Sequence, residues 1–318
     1  MGRNETAKDY PKERCVELVR AAVGIDTLVV DEIKGAMPWW STVRLATRYG
    51  TPDRHVFLAG DAAHVFPPWG GFGANAGIAD AHNLVWKLVH VINGWSGEEL
   101  LDTYETERRP IAQRAASISA AMNDERGLMR LNTISIIPSF LQLIPYMTVG
   151  YGYNSSIIIG DDDGSSLPTP KSYDLCGRPG TRIPHKWIDE IDEEKVKEYE
   201  EDGEELIEPK STLDWVDPCT YTLITFGEDK KGNSWDQVFK KALKEENPSH
   251  FKRPINHINY TKETQYLLIG LDWKKDFGLD YGNALLVRPD GFIAWRSSSK
   301  DPITTEFASS LLSILHYK

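Results

Sequence analysis

Apolar positions in the first third of the chain fall into short runs of differing period. Val16, Val19 and Val23 recur at helical spacing within Pro11–Val23, and Gly24 follows as a stop, which predicts a helix. Thr27–Ile33 predicts a strand, and Trp40–Ala46 continues in β-like alternation with Val43 and Leu45 on one side. Thr51-Pro52-Asp53 then turns the chain into a short buried-strand run at His55–Ala59. After a glycine- and proline-rich loop, Pro67 to Gly73, comes an amphipathic helix over 74–93. Its apolar stripe reads Ile78, Ala81, Leu84/Val85, Leu88 and Val91/Ile92. Ser96-Gly97-Glu98-Glu99 predicts a capping box that opens a second helix, with Leu100, Leu101, Tyr104 and a Glu105–Arg109 pair.

Further on, Asp161–Pro170 is rich in Asp, Gly, Ser and Pro, as a linker is. Beyond it the pattern predicts a strand at Tyr221–Phe226, a helix at Trp235–Lys244 and a last helix at Thr304–Leu315. Ala284–Val287 and Phe292–Arg296 flank Arg288-Pro289-Asp290-Gly291, a turn in which proline presets φ and glycine accepts a positive φ. Alternating strands and helices predict a small α/β unit. The expected division is therefore residues 1–160 and 161–318.

Composition changes this picture in few places. The 318 residues are 41% hydrophobic, enough for a sizeable core, and the net charge of −11 argues against a nucleic-acid surface. Twelve acidic residues against two lysines lie between Asp189 and Glu208, so the acidity is one local segment. Three separated cysteines form no CxxC or metal spacing, and no cleavable apolar leader follows Met1; a reduced, cytoplasmic location is expected. Leu131–Gly160 carries no charge, but Pro138 and Pro145 interrupt it, which predicts a packed element at a domain border rather than a membrane span.

The chemistry concentrates in His55–Leu88, HVFLAGDAAHVFPPWGGFGANAGIADAHNLVWKL. A strand would deliver Gly60-Asp61 at its carboxyl end, where α/β sheets bind ligands. Asp61 is a short carboxylate suited to accepting bonds from ribityl hydroxyls. The following loop is stiffened by Pro67 and Pro68 and stripped of side chains at glycines, so a flat ring system could approach its backbone. The helix after it points a partially positive N-terminus at the same place.

GDAAH, PPxxGxGxNxGxxDAxNLxWKL and LLDTYExERRPIA resemble the second flavin-binding motif of the class A flavoprotein aromatic hydroxylases. GRPGTRIPHKW (Gly177–Trp187), STLDW (Ser211–Trp215) and VRPDGFIAWR (Val287–Arg296) resemble the phenol and polyketide hydroxylase branch, with its thioredoxin-like C-terminal domain. The resemblance implies an α/β fold: an incomplete FAD-dependent hydroxylase domain, para-hydroxybenzoate-hydroxylase-like, followed by a thioredoxin-like domain. It implies that Gly60 and Asp61 meet the ribityl chain of FAD and that Pro67 and Pro68 line the flavin. Gly71, Gly73, Ala74 and Asn75 would contact the isoalloxazine. Asp80, Asn83 and Lys87 look structural, and His64 looks like a packing residue. In the family NAD(P)H reduces FAD and oxygen then hydroxylates a phenolic ring, so the implied partner is an aromatic or polyketide-like small molecule. Met37, Trp39 and Trp40 are weaker candidates for lining a substrate cavity.

No GxGxxG precedes Asp61. The family's ADP-binding βαβ unit is thus expected to be absent, and the chain is expected to be the C-terminal part of such an enzyme, inactive alone and holding FAD weakly. A homodimer or a complementing N-terminal half would complete it. Two other functions stay open: a repurposed non-redox enzyme or pseudoenzyme that keeps the hydrophobic cavity, and a scaffold for a full-length hydroxylase.

Overall fold

The computed structural model describes residues 5–37, 41–124, 143–159, 168–169, 175–190, 210–227, 235, 255–260, 268–269, 271–280, 282–297, 310 and 313–314. Helix α1, Lys12–Val23, ends where Gly24 takes φ 75° and returns its N–H to Arg20 O at 2.8 Å, as the sequence predicts. The strand expected at Thr27–Ile33 does not form. Arg20 Nε instead reaches Leu28 O at 2.9 Å and Val29 is exposed. An extended run becomes a strand only beside another strand's free N–H and C=O groups, and no described residue supplies them there.

Of the alternation at Trp40–Ala46 only β1, Arg44–Leu45, is paired, antiparallel to β2, His64–Val65. The buried strand expected at His55–Ala59 is likewise corrected. Phe57 makes a single antiparallel bridge to Gly50, and Leu58 N–H donates to Tyr49 O at 2.8 Å. Gly60–Ala62 is a single 3₁₀ turn rather than the end of a parallel strand. Helix α2 runs Phe72–Ile92. A short 3₁₀ turn, Glu98–Leu101, leads into α3, Asp102–Ala121. The capping box is absent. Ser96 is buried with its Oγ 3.3 Å from His90 Nδ1, and Gly97 occupies the cap position. Glu105 and Arg109 do not pair either; they hold the chain before the turn, at Tyr49 N (2.7 Å) and Ala46 O (3.2 Å).

The second region contains β3 (Trp187–Glu190), β4 (Lys210–Ser211), β5 (Thr222–Phe226), β6 (Asn256–Tyr260), β7 (Leu268–Ile269), α4 (Trp273–Phe277), β8 (Asn283–Val287) and β9 (Ile293–Arg296). Its main sheet has the order β6-β5-β8-β9, with β5 and β6 parallel and the other neighbours antiparallel. Every residue of β5 and β8 is buried, as expected of strands covered on both faces. The β8–β9 turn follows its sequence: Gly291 takes φ 78° and donates to Arg288 O at 2.9 Å. The helices expected at Trp235–Lys244 and Thr304–Leu315 lie almost wholly outside the described residues, as do 131–142 and most of the linker; 143–159 is described, and its Tyr146, Met147, Tyr151 and Tyr153 pack against Phe72, Ile111 and Phe292.

Residues from both sides of position 160 share one core. Trp86 and Leu100 pack in a cluster with Tyr221, Leu223, Trp235, Leu286 and Trp295. Phe292 of the hairpin packs with Phe72, Ile111 and Ala115 of the two long helices. The second region's sheet is thus seated on α2 and α3.

Candidate functional site

Helix α2 positions the site, and its orientation differs from the amphipathic expectation. Its buried residues are Phe72, Ala76, Asp80, Asn83, Leu84, Trp86, Lys87 and His90, while Ile78, Val85 and Ile92 are exposed at 69%, 55% and 79%. The inner face is therefore half polar, and Leu84 of the predicted stripe is buried on it. Burying charged and amide groups is tolerable only when each finds a partner, and Asp80, Asn83, Lys87 and His90 each do.

Asp80 lies at the centre of the first set. Its Oδ2 accepts the Gly60 N–H at 3.1 Å and lies 2.6 Å from His64 Nε2, and its Oδ1 accepts Arg108 Nε at 2.7 Å. Arg108 also donates to Tyr153 OH (3.0 Å), Tyr151 OH (3.2 Å) and Ala76 O (3.2 Å). Burial opposes the Asp80 charge, but His64 and Arg108 outweigh it and hold the carboxyl below its ordinary value. In the second set Glu107, fully buried, accepts both guanidinium nitrogens of Arg288 (2.6 and 2.9 Å), Lys87 Nζ (2.9 Å), Asn83 Nδ2 (2.7 Å) and Ser155 Oγ (2.6 Å). Arg288 turns its other edge to Asp290. Burial again opposes ionisation of Glu107, yet Arg288 and Lys87 outweigh it and keep the carboxyl well below its usual range. Lys87 shares its one carboxylate with a second cation, and burial lowers it to about 8.

These contacts fix the turn that carries Asp61. Gly60 takes φ 56°, which a side chain would strain, and a Cβ on Gly77 of α2 would come within 3.2 Å of Gly60 Cα. Turn and helix thus approach backbone to backbone. Asp61 is exposed, with no side-chain partner among the described residues. The loop that follows is held from below: Ser119 Oγ donates to Trp69 O at 3.0 Å, and Gly71 N–H closes onto Pro68 O at 3.0 Å. Pro67 is buried; Pro68, Gly71, Ala74 and Asn75 are exposed. Gly71 caps α2 with φ 67°, and nothing lies within 4 Å of where its Cβ, or that of Gly73, would be. Asn75 Nδ2 bonds back to Gly71 O at 2.8 Å. Among the substrate candidates, Met37 is 90% exposed and lines no described cavity, and Trp39 and Trp40 lie outside the described residues.

The residues present here fit a flavin. An exposed carboxylate, a loop with open space above two glycines and a helix N-terminus occur within sixteen residues of sequence, anchored by Asp80 to the helix behind them. The structural role read for Asp80, Asn83 and Lys87 from the sequence is the one they have here. They are spaced at i, i+3 and i+7, a repeat that marks one helix face whatever its polarity.

Residues 2–119 match the family model described as an FAD binding domain. Among particular proteins, the chain is 36% identical over 298 residues to the tetracenomycin A2 monooxygenase-dioxygenase of Streptomyces glaucescens, covering 93% of this chain and 47% of that protein. It is 34% identical over 308 residues to a 4-methyl-5-nitrocatechol 5-monooxygenase of a Burkholderia species, covering 95% and 50%. The solved ternary complex of aklavinone-11 hydroxylase with FAD and aklavinone superposes with a TM-score of 0.74 at 28% identity, covering 99% of this chain and 53% of that one. The chain spans about half the length of the curated relatives it matches.

Proposed function

We propose that this chain is the C-terminal part of an FAD-dependent monooxygenase acting on an aromatic or polyketide-like substrate, with NAD(P)H as co-substrate. The observation that carries the reading is the Gly60–Asp61 turn, set backbone to backbone against Gly77 and pinned by Asp80 beneath an open glycine loop. Its similarity to tetracenomycin, nitrocatechol and aklavinone oxygenases over nearly the whole chain supports it.

In this reading Asp61 accepts hydrogen bonds from the ribityl hydroxyls, and Gly60 allows the close approach. Pro67, Pro68, Gly71, Gly73, Ala74 and Asn75 present the isoalloxazine with a rigid wall and the free N–H groups of the first turn of α2. When bound, the flavin supplies the redox chemistry; the protein orients it and excludes water. Residues 161–318 form a thioredoxin-like domain, a reading supported by the β6-β5-β8-β9 order with one parallel pair. The ADP half of FAD needs a GxGxxG βαβ unit, and none precedes Asp61 in these 318 residues.

The chain on its own therefore holds FAD weakly. Titrating FAD into the purified 318-residue protein while following tryptophan fluorescence tests this. Saturable quenching with a dissociation constant above micromolar is the expected result. Absence of saturable quenching at millimolar FAD would overturn the flavin reading, and submicromolar binding would overturn the division of the site.

A further inference from the structure

A cavity of about 220 Å³ lies between α2, α3 and the segment 143–151, with Arg182 of the second region at its edge. It is on the other flank of α2 from the turn that carries Asp61. At about 100° per residue, Gly77, which meets Gly60, sits roughly 140–160° around the helix from Ala79 and His82, which line the cavity; Asn75, at the start of the helix, is common to the cavity lining and the flavin loop. One wall is apolar, made by Phe72, Ile111, Ala115 and Met147. The opposite end is cationic and its charge is incompletely matched.

Arg108 is balanced by Asp80. Arg182 meets no carboxylate among the described residues. Its one side-chain hydrogen bond is to the Tyr151 hydroxyl at 3.2 Å, it stacks over Phe292 at 4.6 Å, and its Nε is buried without a partner. The Tyr151 oxygen thus accepts from two guanidinium groups at once. Burial opposes ionisation of that phenol, yet Arg108 and Arg182 outweigh it and draw it below its ordinary value. By contrast, the larger cavity of about 300 Å³ beside 48–57 has Asp102 and Glu105 in its lining, and its Arg54 pairs with Asp102 at 2.8 Å.

We infer that the cavity between α2, α3 and Arg182 is a second small-molecule site, separate from the flavin turn, for a ligand with a flat apolar body and a single carboxylate. The guanidinium of Arg182 presents a planar fork that matches a carboxylate in two hydrogen bonds. The apolar wall takes the body, and among the described residues no acidic side chain lines the cavity to repel the anion. A bare phosphate would leave the Phe72–Met147 wall unused. The site does not depend on the flavin reading.

Benzoate is the probe. Calorimetric titration into the 318-residue protein should give saturable binding that weakens at least about tenfold in Arg182→Gln, recovers in part in Arg182→Lys, and is at least about tenfold weaker for benzyl alcohol. Saturating FAD should not displace it. In the unaltered protein, benzoate should slow amide hydrogen exchange in 72–82 and 143–151, a readout that does not require any variant to fold. Absence of saturable binding, equal binding of benzyl alcohol, displacement by FAD, or protection confined to other segments would each overturn the proposal.

Discussion

Helix α2 and the β8–β9 hairpin are both central to this molecule, yet their sequences speak with different clarity. The hairpin buries apolar residues on strands that alternate or run continuously apolar, and its turn chemistry fixes the connection; its strands fall within a residue of where the pattern places them. α2 buries Asp80, Asn83, Lys87 and His90 and exposes Ile78, Val85 and Ile92. Hydrophobic periodicity finds only part of the packed face: Leu84 is buried and Leu88 and Val91 pack against the core, while Ile78, Val85 and Ile92 lie in solvent because the neighbouring core is in part a charge network.

The two regions meet in that network, and disrupting it should produce the largest effects. Glu107→Ala leaves Lys87 without a carboxylate and Arg288 with Asp290 alone in a dry interior, and breaking a buried pair in this way costs about 3–5 kcal/mol; urea denaturation should show a loss of that size. Asp80→Asn keeps the Gly60 contact but removes the charge opposite Arg108. A charge-assisted bond is worth about 1.5–3 kcal/mol, so a smaller loss is expected, together with weaker FAD quenching because the turn is no longer pinned.

Acid should act through the same groups. Asp80 and Glu107 have folded values held below the unfolded ones, so their stabilisation is present above about pH 4.5 and is lost as the pH falls below that through the folded values. Thermal unfolding midpoints measured from pH 7 to pH 3 should drop, and the drop should be shallower in Glu107→Gln. Lys87 behaves oppositely. With its value lowered from 10.5 to about 8, the folded state binds fewer protons than the unfolded one between these limits, so its contribution to stability increases as pH rises through that window. Lys87→Met should remove this rise while leaving Glu107 paired with Arg288. The smallest effect belongs to the outer edge of the stripe: Ile78→Ser and Ile92→Ser should each change stability by less than about 0.5 kcal/mol, which would separate these exposed members from the packed Leu84, Leu88 and Val91.

Much of the candidate site was legible because it depends on local backbone chemistry. Gly60, Gly71 and Gly291 take the positive φ that their turns require, and Gly24 ends α1. What was not legible depends on long-range pairing. His55–Ala59 reads as a strand but has only the Gly50 bridge beside it. Ser96 reads as a cap but is recruited by His90, whose other ring nitrogen reaches Cys219 O in the second region at 3.1 Å. The Glu107–Arg288 pair joins residues 181 positions apart, and no local pattern announces it.

The most direct test of the flavin site is a paired titration of FAD into the unaltered protein and into Asp61→Ala. Asp61 is exposed and packs against nothing described, so its replacement leaves the fold intact while removing the acceptor for the ribityl hydroxyls. The account predicts that FAD binding weakens by about ten- to a hundredfold, the equivalent of one charge-assisted hydrogen bond. Equal affinity in the two proteins would contradict it.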